Sequence, residues 1–174
     1  MEVVVLVGLQ GSGKSTFCRE HFSQTHVVIS KDHFPKARNR QARQMRLLGE
    51  ALAAGRSAVI DNTNANRESR RPVIDAARAH GAAVVAYSFE SDLEKCLERN
   101  RQREGRGRVP DVALTSTRKR LEPPSASEGF DRLFEVRIAP KGRFRVTSCP
   151  QVVESQGGLC GHRQRGHTVR ENRA

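Results

Sequence analysis

Apolar residues along this chain fall in blocks that switch repeatedly between two patterns. Val3-Val4-Val5-Leu6-Val7 is a continuous apolar run, as expected of a strand covered on both faces. Lys14 to Phe22 reads as a helix and Val27–Ile29 as a short second strand. A long helix is predicted from about Lys36 to Ala54, with Met45, Leu48 and Leu52 along one side and Gly55 as its stop. Ala58–Ile60 is a third strand. The next helix ends near His80-Gly81 and carries Val73, Ile74 and Ala77; Pro72 predicts that its regular part starts only there. Ala83–Phe89 is a fourth strand.

Ser91-Asp92-Leu93-Glu94 has the form of a capping box. The helix it opens turns Leu93, Cys96, Leu97 and Asn100 inward and runs to about Arg103. Glu104-Gly105-Arg106-Gly107-Arg108 breaks it, and a further helix spans about Val112 to Leu121. Leu133–Ile138 and Phe144–Val146, joined by Pro140-Lys141-Gly142, read as a last strand and its hairpin partner. Strands alternating with helices predict an α/β fold, a mostly parallel sheet with helices on both faces.

Composition adds boundaries. A chain of 174 residues, 36% hydrophobic and 29% charged, suits one domain with a real core. The expected division is a domain over 1–146 and a basic, disordered tail over 147–174, where apolar residues thin out. No apolar stretch approaches the roughly 18 residues of a membrane span. The Val3–Val7 run is too short for a signal peptide. A cytoplasmic protein with no membrane partner is the resulting expectation. The formal charge is +12, of which +5 lies from Pro140 onward, so the body is itself basic. Polyanionic partners and a merely solvated surface both fit such an excess. Cys18 and Cys96 fall in predicted helices as buried thiols. Cys149, Cys160, His162 and His167 match no zinc spacing, and metal binding there is rejected.

The chemistry starts at Gly8-Leu9-Gln10-Gly11-Ser12-Gly13-Lys14-Ser15, followed by Thr16. Placed between a strand and a helix, this is a P-loop. Its glycines let backbone N–H groups converge on phosphates, and the following helix adds its positive N-terminus. Lys14 is expected to reach the β- and γ-phosphates of ATP, and the Ser15 hydroxyl to ligate Mg²⁺. Asp61, directly after the third strand, is a second candidate for Mg²⁺ or its waters; capping the following helix is the alternative. No Asn-Lys-x-Asp run is present, which argues against a GTPase.

Transfer to a hydroxyl needs a group to take its proton. Asp32, after the second strand in Ser30-Lys31-Asp32-His33, is the candidate base, with helix capping again the alternative. Lys36, Arg40 and Arg43 share a stripe of the predicted helix. They form either a track for a phosphodiester backbone or a solvated face. Arg99 and Arg103 precede the Gly/Arg-rich break, where a mobile lid would bring an arginine onto the transferring phosphate. Ion pairs with Glu94 or Glu98 would be the competing explanation.

Gly8–Thr16, Ser30-Lys31-Asp32, Asp61-Asn62-Thr63-Asn64 and Arg99-Asn100-x-x-Arg103 with Val109-Pro110 together resemble the kinase domain of polynucleotide 5′-hydroxyl kinases. They also resemble the small bacterial AAA-type ATP-binding proteins related to it. The similarity runs over about residues 1–138, through Glu128-Gly129-Phe130. It implies a P-loop NTPase fold with a parallel five-stranded sheet of order 2-3-1-4-5 and a C-terminal hairpin. It further implies ATP and Mg²⁺ as cofactors, Lys14 and Ser15 as their ligands, Asp32 as general base, Thr63 at the acceptor end and Arg103 on the transferring phosphate. A nucleic acid 5′ end is the implied acceptor. Phage-type members carry an Arg three residues after the base, where this chain has Pro35; Arg38 and Arg40 are the candidate substitutes. That departure keeps a small-molecule kinase as an alternative. A non-catalytic, ATP-dependent nucleic-acid-binding module using the basic tail is another.

Overall fold

In a computed structural model of the chain, residues 1–150 are described. The tail residues Cys160, His162 and His167, and the disorder expected of the tail beyond residue 150, lie outside them, whereas Thr147 and Ser148, expected in the tail, are in a strand.

Strand β1 (Glu2–Val7) is the centre of a six-stranded sheet. Its apolar run has no polar face because both faces are covered, and Val3 to Val7 are at most 1% exposed. β2 (Val27–Ile29), β3 (Ala58–Ile60), β4 (Ala83–Phe89) and β5 (Arg132–Ile138) join it in the order β2-β3-β1-β4-β5, all parallel. This is the expected order. A sixth strand, β6 (Phe144–Ser148), runs antiparallel to β5 with Val136 opposite Val146. The hairpin therefore extends the sheet from five strands to six.

The period of two in β1 divides the core. Val3, Val5 and Val7 face α2 (Arg40–Ala53) and α3 (Arg67–Ala79), meeting Leu48, Leu52, Val73, Ile74 and Ala77. Val4 and Leu6 face α1 (Lys14–His21), where Phe17, Cys18 and Phe22 pack with Phe89 and Val136. A third cluster of Leu9, Cys96 and Leu114 joins the loop after β1 to α4 (Leu93–Arg101) and α5 (Asp111–Lys119).

Three helix starts differ from the sequence reading. α2 begins at Arg40, because the Asn39 side chain accepts from the Ala42 N–H at 2.9 Å and fixes the first turn there. Lys36 and Arg38 consequently precede the helix, and the predicted Lys36-Arg40-Arg43 stripe does not form. α3 begins at Arg67, ahead of Pro72, through reciprocal bonds between Asn66 and Ser69. Pro72 leaves only the Glu68 carbonyl without its helical donor, and both residues face solvent. α4 is capped by Asp92, which accepts from the Glu94 and Lys95 N–H groups. Ser91 is occupied elsewhere. Among the described residues, no helix is long and apolar enough to cross a membrane.

Candidate active site

The loop leaving β1 is held from three sides. The Gly8 N–H donates to the Thr63 carbonyl at 3.1 Å, tying it to the segment after β3. The Leu9 N–H donates to Ser91 Oγ at 3.1 Å, and that hydroxyl donates to the Phe89 carbonyl at the end of β4. Arg99 Nη1 donates to the Gly11 carbonyl at 3.3 Å from α4. Gly11 has φ +82°, and a Cβ there would stand 2.6 Å from the Cys96 carbonyl oxygen. Only glycine permits that approach of α4 to the loop.

Lys14, the first residue of α1, is 7% exposed. Its Nζ donates to the Gly8 carbonyl at 2.9 Å, to the Leu9 carbonyl, and to Ser12 Oγ at 3.4 Å. Burial pulls its pKa down to about 8; the Asp61 and Asp32 carboxylates oppose the shift and Arg103 adds to it.

Residues from four separate stretches of sequence meet around this lysine. A cavity of about 70 Å³ is lined by Gln10, Gly11, Gly13, Lys14, Ser15, Asp32, Asp61, Thr63 and Arg103. Asp32 is exposed and sits in a 3-10 turn (Lys31–His33), in which the Asp32 N–H donates to Ser30 Oγ at 3.4 Å and the His33 N–H to the Ser30 carbonyl at 3.1 Å. Asp61 is half-buried at the end of β3, its N–H bonded to the Ile29 carbonyl at 3.0 Å. Neither carboxylate caps a long helix, since Asn39 and Asn66 take those positions. Ser15 and Thr16 are exposed on the first turn of α1. The Ser15 hydroxyl and the Asp61 carboxylate form an all-oxygen donor set, which suits Mg²⁺.

Other sequence candidates lie outside the cavity. Arg38 and Arg40 are exposed, and Arg40 Nη2 donates to the Pro35 carbonyl at 2.9 Å. Arg99 braces the loop from behind. Gly8, Leu9 and Ser12 frame the loop rather than line the cavity. Among the described residues neither Arg99 nor Arg103 pairs with Glu94 or Glu98; Arg103 Nη1 reaches the Gly107 carbonyl at 3.4 Å, and Arg101 pairs with Asp111.

The sequence reading missed the side chains that hold these pieces in register. Ser91, a cap in the sequence reading, instead bonds the Leu9 N–H and the Phe89 carbonyl. Asn64 donates to the Leu6 and Ile60 carbonyls at 2.7 and 3.3 Å and takes φ +43°, a conformation Asn tolerates better than most residues. Its place in the Asp61–Asn64 run was the available signal.

The chain is similar to several known proteins. A bifunctional polynucleotide phosphatase/kinase from Schizosaccharomyces pombe (strain 972 / ATCC 24843) is 31% identical over 139 residues, covering 78% of this chain and 33% of that protein. The chain thus spans about a third of that relative's length. A sugar kinase from Janibacter sp. HTCC2649 superposes with a TM-score of 0.56 at 21% identity, covering 78% of this chain and 85% of that one. Chaetomium thermophilum Kti12 in complex with ADP-AlF3 superposes with a TM-score of 0.60 at 17% identity, covering 78% and 88%. At these identities the two structures share the fold. A family model described as an AAA domain matches residues 3–124, from β1 through α5, and the chain belongs to that AAA domain family.

Proposed function

We propose that this chain transfers the γ-phosphoryl group of ATP to a hydroxyl, and that the acceptor is the 5′-OH of a polynucleotide. The observation that carries the reading is the shared cavity, in which Lys14, Ser15, Asp32, Asp61, Thr63 and Arg103 meet. Lys14 and the N-terminus of α1 bind the phosphates. Ser15 and Asp61, directly or through water, would hold Mg²⁺, which would supply charge neutralisation for the phosphates. Thr63 orients the acceptor. Asp32 accepts the hydroxyl proton as that oxygen bonds to the γ-phosphorus and the bond to ADP breaks; the proton then leaves Asp32 to solvent. Arg103 closes on the charge developing between donor and acceptor. The polynucleotide acceptor is supported by the S. pombe relative's name and by the basic body of the chain.

A second reading, a small alcohol as acceptor, is favoured by Pro35 and by Arg40, which is engaged with the Pro35 carbonyl. One experiment separates them. With γ-labelled ATP and Mg²⁺, label is expected on a 5′-OH oligonucleotide, and Asp32→Ala should abolish transfer while ATP still binds. Label on small alcohols alone replaces the first reading by the second. Label on neither overturns both.

A further inference from the structure

The candidate base sits in a short, exposed turn, and no side chain of its own element holds that turn to the sheet. The holding contact comes from the far side of β3. Asn62 Oδ1 accepts the backbone N–H of Lys31, the residue before Asp32, at 3.0 Å. Asn62 Nδ2 donates to Gln44 Oε1 at 2.8 Å, and Gln44, on α2, is 1% exposed.

The orientation of both amides follows from one fixed donor. A backbone N–H can only donate, so the Asn62 atom facing Lys31 is its oxygen. That leaves the Asn62 amide nitrogen facing Gln44, which must present its own oxygen. The relay is thus polar in one direction, from Gln44 through Asn62 to the turn. It is anchored at the inner end, because burying Gln44 without a partner for its oxygen is unfavourable.

The neighbouring residues carry the other half of the site. Asp61 N–H bonds to the Ile29 carbonyl at the end of β2, and the Thr63 carbonyl accepts from Gly8 of the phosphate loop at 3.1 Å. Three consecutive residues, Asp61, Asn62 and Thr63, therefore link the turn bearing Asp32 to the loop bearing Lys14. Of these links, Asn62 is the only one that acts through a side chain, so it alone can be removed without altering the backbone.

We infer that Asn62, locked by Gln44, is a positioning residue that sets Asp32 against the phosphate loop. The inference rests on the kinase reading above. Loss of the relay lets the turn drift, and misplacement of about 1 Å costs on the order of 100-fold in rate. Binding of ATP depends on the loop and is left intact.

Asn62→Ala in the full chain tests this, with Gln44→Met as a second variant that keeps the buried volume. Using γ-labelled ATP and a 5′-OH oligonucleotide, kcat is expected to fall on the order of 10–100-fold, with KM and Kd for ATP unchanged. Hydrogen exchange at the Lys31 amide should accelerate in both variants, since its acceptor is removed or freed. An unchanged kcat, an unchanged Lys31 exchange rate, or kcat and ATP affinity falling together would each overturn the inference. If Asn62→Ala does not fold, the same readings on Gln44→Met decide. A wild-type chain that labels no hydroxyl overturns the kinase reading and Asn62's role with it. A wild-type chain that labels one while the variants are unimpaired overturns only the role of Asn62.

Discussion

Arg70 and Glu128 form a two-pronged ion pair, Nε to Oε2 at 2.7 Å and Nη2 to Oε1 at 2.8 Å, with side chains 0% and 1% exposed. The remaining nitrogen of Arg70, Nη1, donates to the Asn64 and Glu122 carbonyls, both at 3.0 Å. One guanidinium thus joins α3, the turn before Phe130 and the segment that follows Thr63. Breaking a buried pair by removing one partner leaves an uncompensated charge, at a cost of about 3–5 kcal/mol. Arg70→Met should lower stability by that amount in urea unfolding. The double variant Arg70→Met/Glu128→Leu should be more stable than Arg70→Met alone, because no charge is left buried.

The close approach at Gly11 predicts a loss of nucleotide affinity without global unfolding. Gly11→Ala meets both the Cys96 carbonyl and a φ of +82°. Backbone strain of this kind costs about 1–3 kcal/mol, which corresponds to about 5- to 150-fold in ATP binding if α4 and the loop must separate. Gly55→Ala is the control: its φ is +69°, but no atom lies within 4 Å. It should leave ATP affinity unchanged in titration calorimetry.

Lys14 predicts a stability that rises with alkaline pH. Its pKa is about 8 in the folded chain against 10.5 for the free side chain, so between those values the unfolded chain binds the additional proton. The penalty for burying the ammonium is fully present below pH 8 and is relieved as pH rises toward 10.5. The relief amounts to at most about 3 kcal/mol. Cys18 opposes it, since burial pushes its thiol up to about 12 and ionisation of the unfolded thiol then lowers stability above the ordinary value of 9.0. The difference in stability between wild type and Lys14→Met isolates the lysine. It should move in favour of wild type across that window.

Asp131 predicts a dependence of the same sign in the acid range. Burial raises its pKa, but the Val84 N–H at 2.6 Å and Arg78 at 2.7 Å outweigh that and hold the carboxylate below its ordinary range. Its contribution is present above the unfolded carboxylate value and is lost as pH falls through the folded one. Asp131→Asn should be less stable at neutral pH, and its deficit should shrink as pH falls toward the folded value.

The amino-acid sequence determined this protein's architecture and the place of its phosphate loop. Both depend on information local in the chain: an apolar run for β1, Gly11 and Gly13 where the backbone must turn, and helical spacing of Leu48 and Leu52. The family resemblance added the strand order. Tertiary structure decided what holds the site together. Asn39 and Asn66 set helix starts that Lys36 and Pro72 obscured, because a cap depends on which side chain reaches a free N–H, and several candidates stood nearby. Ser91, Asn62 and Arg70 bond to Leu9, Lys31 and Glu128, partners 82, 31 and 58 residues away. Such bonds leave no periodicity in the sequence. They exist only once the sheet has brought the ends of β1, β2, β3 and β4 to one edge.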